Sequence, residues 1–77
     1  MAYSIRLFGQ IAEMAGATTL EVDAVADVQS LRATVEARIP GLQQLPYLVA
    51  VDKDIVTGNA VLESSALIAL LPPYSGG

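Results

Sequence analysis

The chain has 77 residues, four basic side chains against eight acidic ones, and no Cys, His or Trp. That length allows one domain, which buries only roughly 60% of its unfolded surface and has a thin stability margin, although 53% hydrophobic residues argue against disorder. The missing Cys and His remove disulfides, a thiol nucleophile, a thiolate metal site and the commonest general base, so a self-sufficient enzyme fits poorly; the scattered Arg6, Arg32, Arg38 and Lys53 give nucleic acid no basic patch.

Met1-Ala2-Tyr3-Ser4 lacks the positive segment and apolar stretch of a signal peptide, so a soluble cytoplasmic protein is the expectation. Tyr3, Ile5 and Leu7 alternate with Ser4, Arg6 and Phe8, which is strand periodicity, and Gly9 ends the run. Ile11, Met14 and Ala15 have helical spacing, closed by Gly16. Thr18 to Val22 reads as a second strand, near enough to the first for a loose hairpin.

Asp27 is placed to accept from the free N–H groups of a helix's first turn. Val28, Leu31, Val35 and Ile39 then recur at intervals of three and four, one apolar stripe bound for a core. Arg32 and Glu36 stand four apart on the solvent side and are expected to pair weakly, and Pro40-Gly41 stops the helix. Leu42 to Pro46 reads as a connecting loop, and Tyr47 to Val51 as a strand. Asp52-Lys53-Asp54 is a polar turn; two carboxylates without further spaced ligands suit a solvated turn better than a metal loop. Ile55-Val56 resumes an extended segment, Thr57-Gly58-Asn59 turns again, and Val61-Leu62 makes a short apolar contact. Ala66 to Leu71 reads as the last strand, ended by Pro72-Pro73. As the longest unbroken apolar run it is far too short to span a bilayer.

Two hairpin-like pairs flanking one helix bury their apolar faces most simply when the helix crosses a small mixed sheet. That is an α+β, β-grasp (ubiquitin-like) arrangement over residues 1–71, followed by a tail over residues 72–77.

The tail, Pro72-Pro73-Tyr74-Ser75-Gly76-Gly77, carries the functional signal. The prolines stiffen the exit and project the tail away from the body, and six extended residues reach roughly 20 Å. Glycines without Cβ can thread a narrow channel and bring a carboxylate to another protein's active site. A frayed end or a remnant added at cloning is the bland alternative.

Leu70-Leu71-Pro72-Pro73-Tyr74-Ser75-Gly76-Gly77 resembles the ending of the molybdopterin synthase small subunit family of ubiquitin-like sulfur carriers. Ala50-Val51-Asp52 resembles that family's Ala-Val-Asn, Leu7-Phe8-Gly9-Gln10 with Glu13 and Gly16 its N-terminal segment, and Asp27-Val28 with Leu31-Arg32 its helix start. Two positions depart: Ser64-Ser65-Ala66-Leu67 stands where the family often has Asp-Gly-Asp-Glu, and Asp52 replaces the usual Asn. The thiamine-pathway sulfur carrier shares the fold and the Gly-Gly ending but typically lacks the Pro-Pro.

The resemblance implies a sulfur carrier in molybdenum cofactor (molybdopterin) biosynthesis. Gly77, presented through Gly76, would be adenylated by a ubiquitin-activating-type enzyme using ATP, converted by a sulfurtransferase to a thiocarboxylate, and would donate sulfur to cyclic pyranopterin monophosphate inside the large synthase subunit. The assembly implied is a heterotetramer, with catalytic residues on the partner and no cofactor resident on this chain. Phe8, Ile55 and Leu71 would form the hydrophobic contact with the activating enzyme and the large subunit, and Pro72, Pro73, Tyr74 and Ser75 would enter the partner's channel. Strand alternation independently turns Phe8 and Leu71 to the face opposite Tyr3, Ile5 and Leu7, although Phe8 as the single Phe also suits a core. The acidic balance of the whole chain suits a basic protein partner. Alternatives are a sulfur carrier of the thiamine pathway, a ubiquitin-like modifier joined to lysines through Gly77, and a binding module with an inert tail. Neither nucleic acid nor membrane is an expected partner.

Overall fold

The computed structural model describes residues 2–73. The first strand, β1 (Ala2–Leu7), buries every second side chain: Tyr3, Ile5 and Leu7 face the core and Ser4 and Arg6 face out. A short helix α1 (Gly9–Ala15) follows and buries Ile11, and Gly16 closes it in the left-handed conformation. The next strand, β2 (Thr19–Asp23), lies one residue beyond the expected span and pairs antiparallel with β1, from Ala2 opposite Asp23 to Arg6 opposite Thr19.

The main helix is α2 (Val28–Arg38). Asp27 caps it as expected, accepting from the Ser30 N–H at 2.9 Å. Val28, Leu31, Val35 and Ile39 are all buried, which confirms the stripe. The Arg32–Glu36 pairing is not what these two side chains do. The Arg32 guanidinium lies 4.6 Å above the Tyr47 ring, and Glu36 accepts from the Tyr47 hydroxyl at 2.6 Å. A buried ring with a polar tip offers both of them a partner already held in place.

Residues 42–46 are not a plain loop: Leu42–Gln44 makes a single 3₁₀ turn, and Leu42 is fully buried. Its entry is Gly41 in the left-handed conformation, which turns the chain enough to drive Leu42 under α2. Strand β3 (Leu48–Val51) runs into β4 (Asp54–Val56) through a two-residue hairpin turn in which Asp52 and Lys53 both take positive φ, 52° and 75°. This is the turn whose twist matches paired strands.

The last strand, β5 (Ile68–Leu71), is shorter than the expected 66–71 span. Leu67 stops short of the ladder because it pairs with the hairpin turn: its N–H donates to Asp52 Oδ1 at 3.0 Å, and its carbonyl accepts from the Asp52 N–H at 2.8 Å. The Ser64-Ser65 turn before it is closed by the Ala66 N–H donating to the Glu63 carbonyl at 3.1 Å.

Strand order in the five-stranded sheet is β2-β1-β5-β3-β4, with β1 and β5 parallel at the centre and the other pairs antiparallel. Ile68, Leu70 and Val49 join Tyr3, Ile5 and Leu7 in one core with the α2 stripe. The Tyr3 hydroxyl donates into the carbonyl oxygens of Val25 and Glu63, 3.0 Å from each, and so ties the β2–α2 connection to the segment before β5. This is the β-grasp arrangement expected from the element order. No helix among the described residues is long and apolar enough to cross a membrane.

Candidate functional site

The helix covers one face of the sheet, and the opposite face stays open. Period two decides which side chains stand there. The register aligns Thr19, Arg6, Ala69, Ala50 and Ile55 in one row across the strands, and Leu71 opposite Leu48 in the next. The two alanines make a low floor. Around it stand Phe8, 42% exposed, Ile55, 46% exposed, and Leu67, 65% exposed. A shallow hollow of about 550 Å³ opens between Phe8, Arg6, Thr19, Ala50, Lys53 and Leu67.

Phe8 therefore stands outside the core, as strand alternation anticipates. It sits just past the end of β1, where its N–H donates to the Leu70 carbonyl at 3.2 Å. Leu71 is half-buried, turned to the open side of β5 away from the buried Ile68 and Leu70. Phe8, Ile55 and Leu71 thus share one face. Arg6, Ala50, Lys53, Leu67 and Ala69 complete that face; alternation puts Arg6 with Phe8, and Leu67 and Ala69 with Leu71, but none of the five is among the expected contact residues. The same alternation that turned Phe8 outward held the signal for Arg6 and Ala69. Ala50 and Lys53 needed the strand register and the hairpin turn.

The exit of the chain from β5 is built by a close contact. Gly9 has φ +57°, and a Cβ placed on it would lie 3.2 Å from Pro72 Cγ. Only a residue without a side chain lets the proline ring lie down on the start of α1. Pro72 and Pro73 line a second hollow with Gln10, Ile11, Leu45 and Pro46. Pro72 is thereby seated on the start of α1, at the end of the sheet where Phe8 and Leu71 stand. Tyr74, Ser75, Gly76 and Gly77 lie outside the described residues.

A second polar cluster is structural. Asn59 Oδ1 accepts from the Gln29 N–H at 2.8 Å, and its Nδ2 donates to Asp27 at 3.3 Å. The loop after β4 thus helps Asp27 to cap α2. The Ser30 backbone and side chain, then Asn59, hold the Asp27 carboxyl below the usual carboxylate range. In the 52–54 turn, the Asp52 carboxylate is occupied by the Leu67 N–H. No group of three or more acidic side chains among the described residues could hold a metal ion.

The chain matches the ThiS family model over residues 5–77. No curated protein sequence matches it. Among solved structures, it is similar to SAMP1 from Haloferax volcanii at 24% identity and a TM-score of 0.80, with 100% of each chain covered. A Pyrococcus furiosus protein assigned as molybdopterin converting factor, subunit 1, superposes with a TM-score of 0.85 at 16% identity, covering 96% of this chain and 99% of that one. Subunits 1 and 2 of the molybdopterin-converting factor of Helicobacter pylori form a complex whose matching chain is 26% identical, with a TM-score of 0.73 and 100% coverage of both.

Proposed function

The chain belongs to the ThiS family of ubiquitin-like sulfur carriers, and from that premise we propose that it carries sulfur for molybdopterin synthesis, on the carboxylate of Gly77. The observation that carries the reading is the continuity of the open apolar face with the start of the tail. Phe8 and Leu71 stand where Pro72 and Pro73 leave the sheet toward Gly76 and Gly77. A partner seated on that face meets the tail where Pro72 leaves the sheet. Exposed apolar clusters of this kind mark protein contact sites.

The chemistry needs partners because a carboxylate is a poor electrophile. A ubiquitin-activating-type enzyme joins it to AMP from ATP and releases pyrophosphate. The terminal sulfur of a sulfurtransferase persulfide then displaces AMP to form an acyl disulfide, and a thiol of the loading partners cleaves that bond, forming a disulfide with the sulfurtransferase sulfur and releasing the thiocarboxylate. Ionised sulfur is a far better nucleophile than carboxylate oxygen, as thiolate is in cysteine chemistry. The tail next enters the large synthase subunit, where the sulfur attacks cyclic pyranopterin monophosphate. The residues of this chain dock, aim and deliver: Phe8, Ile55 and Leu71 provide the apolar contact, Pro72 seats the start of the tail on α1, and Pro73, Tyr74 and Ser75 span the channel. The Helicobacter pylori complex of subunits 1 and 2 supports a large-subunit partner for this chain.

Intact-mass measurement tests the reading. After incubation with the activating enzyme, ATP and a sulfur source, the chain should gain the mass of one oxygen-to-sulfur exchange at Gly77. Added large subunit should then convert the pterin, and deleting Gly77 should abolish conversion. Lysine conjugates in place of the exchange would identify a modifier, and an unchanged mass an inert module. Sulfur delivered only to a thiazole-forming partner would move the chain to the thiamine pathway.

A further inference from the structure

We infer that the open sheet face is built for a partner surface that is apolar around a carboxylate, and that Arg6 is the residue that recognises this carboxylate. The inference rests on the proposed docking of this face to the large synthase subunit and specifies its chemistry.

The chain carries eight acidic and four basic side chains. Glu21 and Asp23 of β2 stand on the same face opposite Ser4 and Ala2, but within the hollow itself the balance reverses. Arg6 and Lys53 line it, and none of the acidic residues does. The other two cations are engaged within the fold: Arg32 stacks on the Tyr47 ring, and Arg38 donates to the Glu21 carbonyl at 3.4 Å. Arg6 has no hydrogen-bond or ion-pair partner among the described residues. It stands on β1, the second of the five strands, next to Thr19 and Ala69 in the register, with Ala50 one strand further. The alanines leave its guanidinium free on that side, with room for an incoming side chain.

Covering this face with apolar surface alone would strip water from a guanidinium and give it nothing in return. A partner that seals against Phe8, Leu67 and Ile55 must therefore bring an acceptor to Arg6. A carboxylate matches best, because it pairs with both arms of the planar guanidinium. Lys53 at the rim of the hollow adds attraction of the same sign. The hollow thus selects a local carboxylate on the partner, although net charge alone suggests a basic one.

Binding of purified large subunit to wild type, Arg6→Gln, Arg6→Glu and Arg6→Lys tests this by calorimetry at low and high salt. Thermal melts verify that the variants fold, as expected for an exposed side chain. R6Q should weaken binding about tenfold or more and R6E further still, by like-charge repulsion. R6K should retain part of the affinity, and the salt dependence should shrink in R6Q. Equal affinity of R6Q and wild type, or tighter binding by R6E, overturns the inference and leaves the carrier reading intact. Failure of the wild type to bind, or of Gly77 to acquire sulfur, overturns the carrier reading, and the former removes this inference with it.

Discussion

Asp52 carries two burdens at once, and they can be separated. It sits at φ 52° in the β3–β4 hairpin turn, and its carboxylate accepts from the Leu67 N–H at 3.0 Å. Asp and Asn enter the left-handed region at lower cost than other side chains with a Cβ, which pay roughly 1–2 kcal/mol there. An exposed hydrogen bond of this type contributes about 1 kcal/mol. Asp52→Ala loses the bond and takes the conformational cost, so it should destabilise the fold by about 2 kcal/mol. For a domain of this size that lowers Tm by about 10 °C. Asp52→Gly loses only the bond and should lie midway. Asp52→Asn keeps an acceptor oxygen and the tolerance of positive φ, so it should stay within about 0.5 kcal/mol of wild type. Thermal melts followed by circular dichroism, with urea titrations for the free energies, distinguish the three. The reasoning is refuted if D52A melts with wild type or if D52N falls as far as D52A.

Other outcomes follow from the same structure. Leu31→Ala, at a fully buried position of the α2 stripe, should cost about 2–5 kcal/mol in urea denaturation; a loss under 1 kcal/mol would show that the stripe is not the core. Asp27 has its carboxyl held low by Ser30 and Asn59, so its contribution is complete above the unfolded carboxylate pKa of about 3.9 and disappears as pH falls through the lower folded value. Asp27→Ala should therefore lower the urea midpoint at neutral pH and flatten its decline in acid, and an unchanged acid slope would refute the link. Phe8→Ser should weaken large-subunit binding at least about tenfold with little change in Tm; a Tm loss as large as that of Leu31→Ala would return Phe8 to the core.

Periodicity carried most of the fold. Alternation along Tyr3 to Phe8 and the three-and-four spacing from Val28 to Ile39 are local consequences of strand and helix geometry, so they were legible before any contact was known. Asp27 as a cap was legible for the same reason, since its partner is only three residues away. What failed was decided by distant residues. Arg32 and Glu36 look like a pair until Tyr47 arrives from another element and takes both. Leu67 looks like strand until the Asp52 side chain captures its N–H. Asn59 had no reason to be singled out until the loop after β4 reached the start of α2.

By itself, then, the sequence determined most of the strands and helices and which of their side chains turn outward. It also determined that the chain lacks the Cys and His of an ordinary catalytic site. The tertiary structure decided which outward side chains stand together. Arg6, Ala69, Ala50 and Ile55 come from four different strands, and only the parallel β1–β5 pairing and the β3 register place them in one row. Net charge is a property of composition, but the charge met by a partner depends on position. The fold engages two cations internally and leaves the other two at the open face of an acidic protein.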